Sequence, residues 1–116
     1  MSEIIIYHNP RCSKSRQTLS LLQDKGIEPT VVEYLKETPS ASELKAVISK
    51  LGISPRALLR TKEADYKEQD LKNDSLSDDD IIKAMVSYPK LIERPIVING
   101  NDARIGRPPE QVLEIL

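Results

Sequence analysis

The residues most able to do chemistry fall in one short segment, where His8, Arg11, Lys14 and Arg16 surround Cys12, the only cysteine of the chain. An ordinary thiol, with a pKa of ~8.5, is only a few per cent thiolate at neutral pH, so a nucleophilic cysteine needs positive potential beside it. Several sources are at hand. Besides the cationic side chains and the histidine, the sequence opens a helix just after the cysteine, and a helix N-terminus offers N–H groups and a partial positive charge. Those N–H groups would also cradle a tetrahedral oxyanion, so one device both activates the thiol and binds an anionic target. A buried small hydrophobe is the commoner fate of a free cysteine, but the cationic neighbours and the strand-to-helix turn speak against it here. His8 reads either as a residue that tunes the thiol, electrostatically or by a hydrogen bond, or as a surface turn histidine. Lys14 and Arg16 equally suit the solvent face of a helix.

Residue counts narrow the reaction. One cysteine excludes an internal disulfide, and with one histidine it excludes the usual Cys/His zinc sets, so neither a metal nor a resident cofactor is expected. If the thiol enters a redox cycle, the electrons must finish on an outside thiol. Lys and Arg number 17 against 18 Asp and Glu, a balance that gives no support for a nucleic-acid or membrane partner, and any anion site must be local. The aromatic residues are Tyr7, Tyr34, Tyr66 and Tyr88, too few to stack bases or hold a flat cofactor. The opening MSEIIIYHNP has an apolar run of only three residues, far short of a secretory h-region or the ~20 residues of a membrane span, so a cytoplasmic protein is expected.

A chain of 116 residues is expected to form a single domain over 1–116, since domains usually run about 100–150 residues. Glu3 to Tyr7 reads as a strand that ends at the turn-forming His8-Asn9-Pro10. Ser13 is predicted to cap a helix with Leu19, Leu22 and Leu21 toward the sheet and Gly26 past its last turn. Thr30 to Tyr34 follows as a second strand, giving a β-α-β unit with a right-handed parallel crossover. Ser40 and Glu43 form a capping box ahead of Leu44, Val47, Ile48 and Leu51, with Gly52 closing that helix. Ser54-Pro55 starts a short helix ending near Arg60. The polar stretch Lys62 to Asp80 reads as a solvated connection. Ser77 and Asp78 to Asp80 open a helix through Ile81, Ile82, Met85 and Val86, stopped by Tyr88-Pro89. Ile96 to Ile98 and Ala103 to Ile105 flank Asn99-Gly100-Asn101-Asp102, which predicts an antiparallel hairpin. Pro108-Pro109 opens a terminal helix whose Val112, Leu113 and Leu116 can cover the sheet. The expected class is α/β, a small mixed four-stranded sheet with a helical insertion between strands 2 and 3, and the order resembles the thioredoxin-like fold.

The segments YHNPRCSKSR, LLR at Leu58 to Arg60, ERPIV at Glu93 to Val97 and GRPP at Gly106 to Pro109 resemble the ArsC family of arsenate reductases, in family order and across almost the whole chain. The resemblance implies that Cys12 is catalytic, that Arg60, Arg94 and Arg107 hold the oxygens of the arsenical, and that His8 lowers the thiol pKa. Ser15, Arg16 and Pro95 would support them, Pro95 as the cis-proline of thioredoxin-like folds. Planar guanidinium forks suit tetrahedral oxyanions and stay charged at any working pH. By the same resemblance Cys12 attacks arsenate, and the adduct is reduced to arsenite with glutathione as co-substrate and glutaredoxin as partner. A lone cysteine argues against the other arsenate-reductase type, which shuttles a disulfide among several cysteines.

Two alternatives stay open at this point. One is an ArsC-like thiol reductase acting on another oxyanion or on a glutathionylated substrate; the chain closes soon after its last helix, which suits a housekeeping relative. The other is an Spx-like regulator that binds RNA polymerase, although its usual Cys-x-x-Cys switch is absent because Ser15 holds the second position.

Overall fold

Consecutive β-branched and aromatic side chains make Ile4–Tyr7 the first strand, β1. In the computed structural model, which describes residues 3–116, the chain divides into two compact units: the stretch up to Glu37 together with Arg94–Leu116, and Thr38–Glu93.

The first unit carries the sheet. Its strands β1, β2 (Thr30–Val32), β3 (Ile96–Asn99) and β4 (Asp102–Ile105) lie in the order β2-β1-β3-β4. β1 runs parallel to β2 and antiparallel to β3, and β3 pairs antiparallel with β4 through Ile96↔Ile105 and Asn99↔Asp102. This is the mixed, thioredoxin-like sheet expected from the element order. The Gly100-Asn101 turn, with Gly100 at φ +63°, joins β3 to β4 in two residues.

Helix α1 (Ser13–Asp24) links β1 to β2. Leu22 of α1, Ile6 of β1, Val97 of β3, and Val112 and Ile115 of the terminal segment form one buried cluster, with Ile4, Leu19, Leu21 and Ile27 packed against it. Burying a side chain of this size stabilises the fold by about 1.5–3 kcal/mol, so the cluster fixes α1, and with it the residue at its N-terminus, against the sheet.

Four local expectations are corrected. Ser13 does not cap α1; Cys12 is the N-cap, in extended conformation. The cause is an Asn9 turn, in which Asn9 Oδ1 accepts from the Arg11 N–H and the Asn9 carbonyl from the Cys12 N–H, so helical geometry starts at Ser13. β2 stops at Val32 because the Glu33 carbonyl accepts from the N–H groups of Lys36 and Glu37, which turns the chain. The terminal element, Pro109–Ile115, is a 3-10 helix. With three residues per turn, Pro109, Val112 and Ile115 share the buried face, and Leu113 and Leu116 remain exposed. Within Lys62 to Asp80, residues Ala64–Glu68 form a short helix, α3, and Leu71 is buried. Arg56 holds that stretch by donating to the carbonyls of Leu71 and Asn73.

The second unit is helical. α2 (Ala41–Leu51) has its full capping box, Ser40 Oγ with the Glu43 N–H and Glu43 with the Ser40 N–H, and ends at Gly52 with φ +69°. α4 (Asp78–Ser87) repeats the device with Ser77 and Asp80. Leu44, Val47 and Ile48 of α2 and Ile81, Ile82 and Met85 of α4 are buried. Short 3-10 segments at Pro55–Leu58 and Pro89–Leu91 bring Leu59 opposite Ile92 in a single antiparallel bridge. No helix among the described residues is long and apolar enough to cross a membrane.

Candidate active site

β1 ends at Tyr7 and α1 begins at Ser13, so residues 8–12 must turn the chain over the end of the sheet. The His8 N–H donates to the Val32 carbonyl at 2.9 Å, pinning the start of the turn to β2. The Asn9 turn then delivers Cys12, partly exposed, at the head of α1. No acidic residue lies in the first turn of α1, so nothing there neutralises the positive end of its dipole.

Opposing forces act on the thiol. Partial burial pushes its pKa up, but the polar pull of the nearby Ser15 N–H, the Arg94 guanidinium and the Lys14 N–H outweighs it, so the net pKa lies below the ordinary thiol value. Arg107 adds a further donor, with Nη2 3.6 Å from Cys12 Sγ. The Arg107 Nε donates to the Arg94 carbonyl at 2.8 Å, so the two arginines are tied to one another beside the sulfur.

The backbone around these arginines is tightly packed. Pro95 is buried behind a cis Arg94-Pro95 bond, and its carbonyl accepts from the Gly106 N–H at 2.9 Å. A Cβ at Gly106 would come within 2.6 Å of Thr18 Oγ1 and 2.8 Å of Pro95 Cγ. Only glycine lets the strand pass this close to α1. The next bond, Arg107-Pro108, is also cis.

His8 is buried, and its Nδ1 lies 2.6 Å from Ser15 Oγ. Burial, with help from the Arg16 charge and against that of Glu33, lowers its pKa below the ordinary histidine value, so the ring is neutral at pH 7. Ser15, wholly buried, also accepts from the Asn9 N–H at 3.0 Å. Arg16 is exposed and clasps the turn by donating to the Pro10 carbonyl at 3.0 Å.

Arg60 belongs to the helical unit. Its N–H donates to the Leu91 carbonyl at 2.8 Å, and its Nη1 pairs with Glu93 Oε1 at 3.0 Å. Its Nε is buried with no hydrogen-bond partner among the described residues. Asn9, Thr18 and Gly106 were not singled out from the sequence. The GRPP motif and the Asn-Pro dipeptide carried the signal for two of them; Thr18 had none, because its role depends on a strand passing over α1.

The chain matches the profile of the ArsC family over residues 7–115. It is 56% identical over 115 residues to a protein of Escherichia coli (strain K12) named YfgD, an alignment covering 98% of this chain and 97% of that one. It is 54% identical over 114 residues to an arsenate reductase of Haemophilus influenzae, covering 97% of this chain and 98% of that one. A solved structure of an arsenate reductase from Vibrio cholerae superposes with a TM-score of 0.97 at 55% identity, covering 99% of this chain and 98% of that chain. With the motifs, the sheet and the relatives in agreement over the full length, the chain belongs to the ArsC family.

Proposed function

We propose that the protein is an arsenate reductase in which Cys12 is the nucleophile. The observation that carries this reading is the Arg107 guanidinium 3.6 Å from Cys12 Sγ and tied to the Arg94 carbonyl, at a helix head whose surroundings lower the thiol pKa. Such surroundings favour the thiolate over the thiol, and the donors there also suit an incoming oxyanion. Arg94 and Arg107 hold arsenate oxygens, and Arg60 is carried forward as the third ligand on the family resemblance alone. His8, Ser15, Arg16 and Pro95 support the turn and the arginines.

The Cys12 sulfur forms a bond to arsenic, and an arsenate oxygen leaves as hydroxide and takes a proton to become water; arsenic stays pentavalent. Glutathione displaces a second oxygen in the same way. A glutaredoxin thiolate then attacks the glutathione sulfur, forming a mixed disulfide, and the electron pair of the broken sulfur–arsenic bond reduces arsenic to the trivalent state. Water releases arsenite and returns the Cys12 thiol. The lone cysteine supports an outside reductant, because no second thiol of the chain can complete the disulfide.

The test is NADPH oxidation coupled through glutathione reductase, with arsenate, glutathione and glutaredoxin, comparing wild type with Cys12→Ser. Arsenate-dependent turnover lost in Cys12→Ser is expected. Wild-type protein that turns over a glutathionylated thiol or another oxyanion but not arsenate would overturn the assignment.

A further inference from the structure

Arg60 and Glu93 are brought together by the isolated antiparallel bridge of the helical unit. The bridge pairs Leu59 with Ile92, and two backbone bonds flank it, from the Arg60 N–H to the Leu91 carbonyl at 2.8 Å and from the Glu93 N–H to the Leu58 carbonyl at 2.9 Å. Leu59 and Ile92 are buried, so the alternation of side chains along the two paired segments turns Arg60 and Glu93 to the opposite face, as diagonal neighbours within reach of long side chains. There Arg60 Nη1 donates to Glu93 Oε1 at 3.0 Å, with the two side chains 22% and 26% exposed. This is the one hydrogen bond of the guanidinium among the described residues, and its Nε is buried without a partner. The far end of a long, rotatable side chain is therefore held at a single point, and Glu93 supplies it.

We infer that Glu93 is the positioning residue of Arg60: by accepting from Nη1 it fixes where the guanidinium lies and leaves the Nη2 hydrogens to meet an oxyanion. The inference rests on the reading of Arg60 as the third oxyanion ligand and deepens it. Two effects of opposite sign are at work. A carboxylate beside an anion site repels the anion, but the pair is partly exposed, where solvent screens that repulsion. An arginine with no anchor, by contrast, must be ordered afresh each time an anion binds, and that cost falls directly on affinity. Ordering is the larger effect here, because the bridge already fixes both backbones and the ion pair removes most of the freedom that is left.

Substitution separates the two effects. Glu93→Gln keeps the reach of the side chain without its charge, and Glu93→Asp keeps the charge but is one methylene short of Nη1. Sulfate, a tetrahedral dianion that does not react with thiols, is the probe, and its occupancy is read as protection of Cys12 from iodoacetamide. Glu93→Asp is expected to raise the half-protecting sulfate concentration about fivefold, the scale of one lost hydrogen bond, while Glu93→Gln stays within about twofold of wild type. In an Arg60→Ala background Glu93→Asp has no further effect, because Glu93 acts through Arg60. A half-protecting concentration in Glu93→Asp at or below that of wild type, equal weakening by the two variants, the same shift in the absence of Arg60, or no protection of the wild type would each overturn the proposal. Sulfate is not reduced, so arsenate turnover tests the reductase reading separately. A protein that shows the expected sulfate pattern without reducing arsenate loses that reading and keeps the role of Glu93; one that reduces arsenate with an unchanged sulfate response in Glu93→Asp loses the role of Glu93 alone.

Discussion

Arg107 reaches across 95 residues of sequence to place its Nη2 3.6 Å from Cys12 Sγ. Its Nε donates to the Arg94 carbonyl in the same pose, so the backbone steers the guanidinium toward the sulfur.

Arg107→Ala is therefore expected to lower kcat/KM for arsenate by about 10- to 100-fold, the range for losing a hydrogen bond to a charged group. Arg107→Lys recovers only part of this, because an ammonium cannot hold the Arg94 carbonyl and an oxyanion with one planar fork. Steady-state kinetics with unchanged unfolding midpoints would check it; wild-type values in Arg107→Ala would remove this side chain from the site.

Gly106→Ala places a methyl group where Thr18 Oγ1 lies 2.6 Å and Pro95 Cγ 2.8 Å away. A loss of about 1–3 kcal/mol in urea unfolding is expected, typical of an overpacked interior. The displaced neighbours carry α1 and the Arg94 segment, so Cys12 alkylation slows as well. A variant as stable as wild type would mean that the strand can withdraw from α1 at no cost.

The terminal 3-10 helix makes a sharp comparison between two neighbouring side chains. Ile115 packs in the core cluster and Leu113 is 38% exposed. Ile115→Ala should cost about 2–4 kcal/mol, whereas Leu113→Ala should stay within about 0.5 kcal/mol. Equal losses in chemical denaturation would indicate an ordinary α-helical face in solution.

His8 makes stability sensitive to mild acid. Its pKa in the folded protein lies below the ordinary histidine value, with burial the main cause. Above that ordinary value neither folded nor unfolded chain holds the proton, and His8 contributes no pH dependence. As pH falls below about 6.5, the unfolded chain takes up a proton that the folded chain refuses, so stability drops until the folded pKa is also passed. Urea midpoints compared between pH 7.5 and 5.5 should fall more steeply for wild type than for His8→Asn; parallel slopes would contradict a buried neutral ring.

Features specified within a few residues could be read from the sequence directly. The capping box of Ser40 with Glu43, the cap at Ser77 and the Asn-Gly hairpin turn depend on local groups and were all found at the expected places. Cys12 at the head of a helix belongs to the same class, although the start slipped by one residue because Asn9 turns the chain first. The period of the last helix was missed because 3.6- and 3-residue spacings both fit so short a segment. Nothing in the chain order indicated that Arg94 and Arg107 would meet, or that Ser15 would satisfy His8 and Asn9 together; those depend on strand register and burial. The partner of His8 was likewise not legible: its Nδ1 meets Ser15 Oγ, and burial lowers its pKa.

The hairpin acts as a ruler. Its pairing advances from Asn99↔Asp102 to Ile96↔Ile105, and two further steps along the same count set Arg94 against Arg107. The distance between these guanidinium groups is thus inherited from the length of a turn at the far end of the ribbon. Adding or deleting one residue at Gly100-Asn101 would shift one arginine out of step with the other while leaving both side chains intact, so that turn can vary in composition far more freely than in length.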